Sequence, residues 1–241
     1  MRDRGRGAGY EWRGGLNLIP DVALAENTSQ RLPCVVVLDG SSSMAADNAI
    51  GALNDGLKLL EQDLKADDVA RQRVRILVLR VGAPNDVEVV TDWVDAIEFE
   101  APEIEANGTT PLGAGVRRAL DEIETEKARY RDHGIPYNRP WLFVMTDGEP
   151  TDPDWEAAAA ECREAEVRGQ VSVFCVGVGE ANLAKLGKFS PRQPLALKGL
   201  AFREFFLWLS RSARAGSKSA PSENIQMAAP SDWAVVPGRA G

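Results

Sequence analysis

The sequence CVVVLDGSSSM occupies residues 34–44. Five apolar residues in succession, preceded by Pro33, are typical of a β-strand that is covered on both faces. One carboxylate, Asp39, and two serines at alternate positions, Ser41 and Ser43, follow this run at once. Polar side chains therefore come directly after a buried strand, which is where α/β sheets bind their ligands.

Other apolar segments alternate between strand and helix patterns along the chain. Between Ile50 and Leu64, apolar residues recur at spacings of three and four, which predicts an amphipathic helix. Further strands are predicted over 74–81, 87–93, 141–145 and 171–178, and further helices around 112–123, 155–167 and 202–209. This alternation predicts an α/β fold, a doubly wound and mostly parallel sheet with helices on both faces. The short connection between the second and third strands predicts one antiparallel edge strand.

The two ends of the chain differ in composition from this alternating region. Residues 1–30 are rich in Gly, Arg and polar residues, and we expect a flexible arm. Residues 215–241 are rich in Ala, Ser, Pro and Gly, which bury too little apolar surface to offset the loss of chain entropy. The sequence therefore predicts one domain over 31–214, followed by a disordered tail.

Composition and charge exclude several classes of protein. The 241-residue chain carries a formal net charge of −8, so it repels phosphate backbones and a nucleic-acid role is not expected. Its apolar runs fall well short of the roughly 20 residues that span a bilayer, and residues 1–7 lack the apolar region of a secretory signal. We therefore expect no membrane association and a cytoplasmic location, which also suits three isolated cysteines.

Oxygen-bearing side chains lie at three separate places that the predicted fold brings to one edge. They follow the first strand at Asp39, Ser41 and Ser43, precede the second helix in the segment 107–113, and follow a later strand at Asp147. A hard cation such as Mg²⁺ prefers oxygen ligands and often keeps some waters. A single histidine, by contrast, excludes a histidine-rich metal centre. These residues therefore predict a divalent-cation site.

The same residues carry a resemblance to a known family. Asp39-x-Ser41-x-Ser43, then GTTPLG over 108–113, then Thr-Asp147-Gly, resembles the metal-ion-dependent adhesion site of von Willebrand factor type A domains. The resemblance covers roughly residues 31–212. It implies that the ion is bound by the two serines and a threonine, with the aspartates acting mostly through water: Ser41, Ser43, Thr110, Asp39 and Asp147. Thr110 is preferred over Thr109 because Pro-Leu-Gly follows it, and Ser42 stands where the family usually has glycine.

The resemblance also implies a function. We expect a non-enzymatic protein-binding module in which Mg²⁺, Mn²⁺ or Ca²⁺ is completed by an Asp or Glu of another protein. Within the family, FVMTDGEPTD over 143–152 and FREFFLWLS over 202–210 are most similar to the bacterial TerY-like subgroup. That similarity implies a stress-response or tellurite-resistance system, with a kinase or phosphatase from the same operon as the candidate partner.

Structural explanations remain open for the individual residues. Ser41, Ser43 or Asp47 could cap the first helix, and Thr110 followed by Pro111 could cap the second. Asp147 and Gly148 could form an ordinary turn at a strand end. The segment 151–153, Thr-Asp-Pro, is interpreted as the start of the third helix, with a structural role only.

Two alternatives to the binding module are a phosphatase and a nucleotide-binding protein. A Mg²⁺-dependent phosphatase or phosphotransferase of haloacid-dehalogenase type would use Asp39 as its nucleophile. That class needs a second aspartate two residues further on as general acid, where this chain has Ser41. A nucleotide-binding role is discounted because the chain has no G-x-x-x-x-G-K-[ST] sequence.

Overall fold

The computed structural model describes residues 27–82, 87–220, 230 and 233–235. These residues contain a seven-stranded sheet with the order β3-β2-β1-β4-β5-β6-β7. In chain order the strands are β1 Leu32–Asp39, β2 Val74–Val81, β3 Val87–Asp95, β4 Trp141–Thr146, β5 Ser172–Gly177, β6 Leu195–Leu197 and β7 Ala234–Val235. Strands β1, β2, β4, β5 and β6 pair in parallel, whereas β3 and β7 are antiparallel to their neighbours at the two edges.

Helices flank this sheet in the described part of the chain. They are α1 Ala49–Lys65, α2 Ala70–Arg73, α3 Leu112–Asp132, α4 Trp155–Val167, α5 Leu183–Leu186 and α6 Phe202–Lys218, with a 3₁₀ segment Ser42–Asn48 before α1. None of these helices is long and apolar enough to cross a membrane. The predicted α/β fold, with helices on both faces of a mostly parallel sheet, is confirmed.

The two faces of the sheet carry separate apolar cores because successive strand residues point to opposite sides. In β1, Cys34, Val36 and Leu38 pack in the core that contains α1 and α6. Val35 and Val37 pack in the core that contains α3 and α4. All eight residues of β1 are buried, which explains why its sequence is continuously apolar rather than alternating.

The order of the strands places a crevice between β1 and β4. The chain passes from β1 to β2 on one side, and later returns to form β4 on the other side of β1. The connections that leave the carboxyl ends of β1 and β4 therefore diverge. Ligands of open α/β sheets bind at this kind of switch point.

Two features of the C-terminal region differ from the sequence predictions. Helix α6 continues through Lys218, so the predicted disordered tail over 215–241 starts too early. Trp233 is buried, its ring centroid lies 5.0 Å from those of Phe205 and Trp208, and the next residues form β7. Strands of two or three residues, such as β6 and β7, are too short to show a period in the sequence. The remaining tail residues, and residues 1–26 of the predicted arm, lie outside the described residues.

Candidate metal site

Asp39 lies at the carboxyl end of β1, next to the end of β4. Its side chain is almost fully buried, and Oδ1 accepts a hydrogen bond of 2.8 Å from the backbone N–H of Ser41. Oδ2 accepts a hydrogen bond from the hydroxyl of Thr146, the last residue of β4. The Thr146 hydroxyl oxygen also accepts the N–H of Gly148 at 3.0 Å. Asp39 is thus fixed to the loops that follow both strands.

The two serines extend the polar group from the protein interior to its surface. The Ser41 side chain is buried, and its Oγ lies 2.9 Å from Oγ of Ser43. Ser43 is exposed and donates from Oγ to Oδ1 of Asp147 at 2.7 Å. The two hydroxyls therefore meet at the junction between β1 and the 3₁₀ segment, which begins at Ser42.

Thr110 completes the group from the segment before α3. The residue is buried, and its N–H donates to Oγ1 of Thr151 at 3.1 Å while its carbonyl accepts the N–H of Thr151 at 2.9 Å. A Cβ added to Gly148 would lie 3.3 Å from Oγ1 of Thr110, 3.9 Å from Oδ2 of Asp39 and 4.0 Å from Oγ of Ser43. We call this small space, lined by oxygen atoms and left open by the glycine, the Gly148 cradle.

The donor set suits a hard divalent cation. The cradle offers carboxylate and hydroxyl oxygens, and the described residues hold no cluster of three or more His, Cys, Asp or Glu side chains that could bind a metal without the hydroxyls. Burial raises the pKa of the Asp39 carboxyl, hydrogen bonds from Thr146 and Ser41 oppose this rise, and the charge of Asp147 adds to it. A cation in the cradle would compensate both carboxylates electrostatically.

A buried arginine holds two of the loops around the cradle. Arg80 donates from Nη2 to the carbonyl oxygens of Glu105, at 2.7 Å, and Gly40, at 3.3 Å. The N–H of Asn107 also donates to the carbonyl of Gly40 at 2.7 Å. The loop after β1 and the segment before α3 are therefore joined through their backbones. This keeps the serines and Thr110 at a fixed separation.

Gly82, which follows β2, permits a close backbone approach to the loop after β1. Its φ is +120°, a conformation that favours glycine, and a Cβ there would lie 2.6 Å from the backbone nitrogen of Ser41. Any side chain at this position would therefore displace the loop that carries Asp39 and the serines.

The structure brings together all five predicted side chains: Asp39, Ser41, Ser43, Thr110 and Asp147. The two helix-capping alternatives are wrong. Helix α1 begins at Ala49 after Asn48, whose side chain makes no capping bond, because the 3₁₀ segment separates the serines from the helix. At α3 the cap position is Pro111, and the carboxylate that accepts the first helical N–H groups belongs to Asp152.

Sequence reasoning missed Thr146, Thr151, Asp152 and Arg80 as supports of this site. The prediction that residues 151–153 start the third helix is also wrong, because α4 begins at Trp155 with Asp154 at its cap position. Asp152 instead caps α3, some 40 residues earlier. A cap formed across such a separation leaves no pattern in the local sequence.

Comparisons with known proteins agree with this fold. The sequence model of the family described as "von Willebrand factor type A domain" matches residues 34–203. A sequence search finds no match among curated proteins. Many solved structures share the fold.

One similar structure is a von Willebrand factor type A protein from Catenulispora acidiphila, with a TM-score of 0.59 and 17% identity over 78% of this chain and 43% of that chain. Proximal thread matrix protein 1 from the mussel byssus, with a zinc-occupied MIDAS motif, has a TM-score of 0.55 and 16% identity over 78% of this chain and 48% of its own. The vWF domain of the pilus tip protein Mfa5 from Porphyromonas gingivalis has a TM-score of 0.58 and 11% identity, over 80% of this chain and 98% of that domain. The chain thus spans less than half the length of the first two proteins, and at these identities the likeness shows a shared fold.

Proposed function

This chain belongs to the von Willebrand factor type A domain family, and on that basis we propose that it binds a protein partner through a divalent cation held in the Gly148 cradle. Domains of this family are protein-interaction modules, many of them dependent on a metal. The observation that carries the proposal is the convergence of side chains from three distant segments around one oxygen-lined space.

Each side chain has a distinct role in this proposal. The hydroxyls of Ser41, Ser43 and Thr110 would hold the cation, with Asp39 and Asp147 supplying countercharge directly or through water. The cation, Mg²⁺ or else Mn²⁺ or Ca²⁺, would supply positive charge that attracts a carboxylate. Thr146 keeps Asp39 in place by donating to Oδ2. Exposure of Ser43 at the surface leaves that side of the cradle accessible to an Asp or Glu of the partner.

The biological setting that we propose rests on the sequence resemblance to the TerY-like subgroup. It comprises a cytoplasmic location, a bacterial stress-response or tellurite-resistance system, and a kinase or phosphatase from the same operon as partner. A non-enzymatic role fits these features, since the position two residues after Asp39 carries the hydroxyl of Ser41 rather than a carboxylic acid.

The first test is direct cation binding by the full chain. Titration calorimetry with MgCl₂, MnCl₂ and CaCl₂ should detect a single site in the wild-type protein and none in Asp39→Ala. Asp67→Ala is the matched control, because Asp67, like Asp39, is an aspartate that accepts backbone N–H groups, but it is only half-buried and lies before α2. Failure of the wild-type protein to bind any of the three ions at millimolar concentration would overturn the proposal.

The second test concerns the partner and the enzymatic alternative. Immobilised wild-type protein should retain proteins from a cell extract with Mg²⁺, release them with EDTA, and retain none of them after Asp39→Ala. Equal retention under all three conditions would contradict a cation-bridged contact. A p-nitrophenyl phosphate assay of the same preparations should show no turnover, whereas turnover abolished by Asp39→Asn would favour the phosphatase.

A further inference from the structure

Asp152 connects the loop after β4 to the start of α3. Its Oδ1 accepts the N–H of Gly113 at 3.2 Å, and its Oδ2 accepts the N–H of Ala114 at 3.1 Å. The first N–H groups of a helix have no partner within the helix, and a carboxylate at that end is also favoured by the helix dipole. Asp152 therefore fixes the first turn of a 21-residue helix from outside it.

Thr151 makes a second connection between the same two segments. Its hydroxyl oxygen accepts the N–H of Thr110 at 3.1 Å, and its own N–H donates to the Thr110 carbonyl at 2.9 Å. Residues 151 and 152 thus accept or donate four hydrogen bonds to residues 110–114. The backbone of Thr110 has its position set by these bonds, while its hydroxyl lines the cradle.

The close approach of α3 to Asp152 depends on a residue without a side chain. A Cβ added to Gly113 would overlap Oδ2 of Asp152 and lie 2.7 Å from Cα of Trp155. The loop from Asp147 to Asp152 is consequently packed against the helix start with no intervening group. Two candidate ligands from separate segments, Thr110 and Asp147, are held at their separation by this single loop.

We infer that Asp152, assisted by Thr151, is a positioning residue that fixes the Thr110 hydroxyl at the cation site. The inference rests on the proposed function, because it assigns a role in the same site. Asp152 does not face the cradle; it acts through the backbone of residues 110–114. Outer-shell partners of metal ligands typically contribute 10- to 100-fold to metal affinity. Loss of the Asp152 carboxylate should therefore weaken cation binding without removing a ligand.

Mn²⁺ titration followed by electron paramagnetic resonance provides the test. We expect Asp152→Ala to weaken Mn²⁺ binding by roughly 10-fold or more, and Asp152→Asn to recover part of this loss because its amide oxygen can still accept one N–H. The matched control is Asp67→Ala. In the wild-type protein, a carboxylate oxygen of Asp67 accepts the N–H groups of Val69 at 3.0 Å and Ala70 at 2.8 Å, before α2. That variant should lose thermal stability but keep the wild-type affinity.

The outcomes separate this inference from the proposed function. Wild-type protein that binds Mn²⁺, with Asp152→Ala no weaker than Asp67→Ala, would overturn the positioning role and leave the cation site intact. Wild-type protein that binds no Mn²⁺ would overturn both. If Asp152→Ala does not fold, Thr151→Val decides: it removes only the acceptor for the Thr110 N–H, and an unchanged Mn²⁺ affinity in that variant would contradict the inference.

Discussion

Ser43 donates a hydrogen bond of 2.7 Å from Oγ to Oδ1 of Asp147, although 104 positions separate the two residues in the chain. The bond joins the loop after β1 to the loop after β4. Because both residues also line the candidate site, the bond links its most exposed hydroxyl to its second carboxylate.

The two ends of this bond should contribute unequally to cation binding. Asp147→Asn removes a charge, whereas Ser43→Ala removes a neutral oxygen, and ligand charge is a main determinant of affinity for hard cations. We expect Asp147→Asn to lower Mg²⁺ affinity by about 10-fold or more and Ser43→Ala by less. Titration calorimetry measures both affinities. Equal or reversed losses would indicate that Asp147 does not act through its charge.

Gly148→Ala should block the cradle while leaving every proposed ligand in place. The new methyl would lie 3.3 Å from Oγ1 of Thr110, and the backbone of Gly148 does not have a positive φ that would exclude alanine. We expect Mg²⁺ affinity to fall by about 10-fold, equivalent to ~1.4 kcal/mol. Folding stability should change by about 1 kcal/mol.

The control for this prediction is Gly187→Ala at the end of α5. Its methyl would also lie 3.3 Å from an oxygen atom, the carbonyl of Leu183, with no part in the cradle. Calorimetry and thermal melting should show a comparable stability change with the wild-type Mg²⁺ affinity. Unchanged affinity in Gly148→Ala would mean that no cation occupies the space beside this glycine.

The three cysteines should be unreactive in the folded protein. All three are buried, and burial raises the pKa of the thiols of Cys34 and Cys162 to about 12 and that of Cys175 well above its usual value. Because the thiolate is the reactive form, only about one thiol in 10⁴ with a pKa near 12 would be ionised at pH 8. Ellman's reagent should therefore report no thiol under native conditions and three in guanidinium chloride. Rapid native reaction would show that β1, α4 or β5, which carry these cysteines, opens readily.

Arg75 lies at the end of the sheet that is remote from the cradle, and it should be required for the folding stability of the protein. Its buried guanidinium donates to Oε1 of Glu126 at 2.7 Å and to Oδ1 of Asp95 at 3.1 Å. Arg75→Met would leave both carboxylates in a buried environment without this partner, a change that typically costs about 3–5 kcal/mol. Urea denaturation measures the loss.

Arg118→Met is the matched control for Arg75. Arg118 pairs with Glu122 at 2.6 Å on the surface of α3, with about half of its side chain exposed. Exposed ion pairs between helix residues four positions apart contribute only about 0.3–0.5 kcal/mol to stability. Similar shifts of the urea midpoint in both variants would show that the buried ion pairs of Arg75 stabilise the protein no more than the exposed pair of Arg118.

Several features of this protein could be predicted from local sequence. The continuous apolar run of β1 indicated a central strand, and the spacings between Ile50 and Leu64 indicated α1, because both patterns reflect which faces are buried. The order of strands and helices then predicted which chain ends would meet at one edge. That order indicated where the polar segments after β1 and β4 would meet, whereas the full set of five candidate ligands, Thr110 included, was implied by the resemblance to von Willebrand factor type A domains.

The supports of the site could not be predicted in the same way. Asp152 and Thr151 look like the start of α4 in the sequence, yet their hydrogen bonds go to residues 110–114. Arg80 lies within the apolar strand β2, and nothing in that local sequence indicates that its guanidinium donates to carbonyls of two loops. Such roles depend on how three loops pack together, and no periodicity within one segment reports that.

The sequence by itself determined the alternating fold, the two apolar faces of the sheet and the types of oxygen donor available at its edge. These properties follow from patterns within a few residues, since local side-chain direction is set by the strand or helix itself. Only the tertiary structure decided that Asp152 caps α3, that Thr146 holds Asp39, and that Gly148 leaves a space between Thr110, Asp39 and Ser43. The hydrogen bonds among those contacts join residues 38 to 107 positions apart, and such separations close only when the whole sheet assembles.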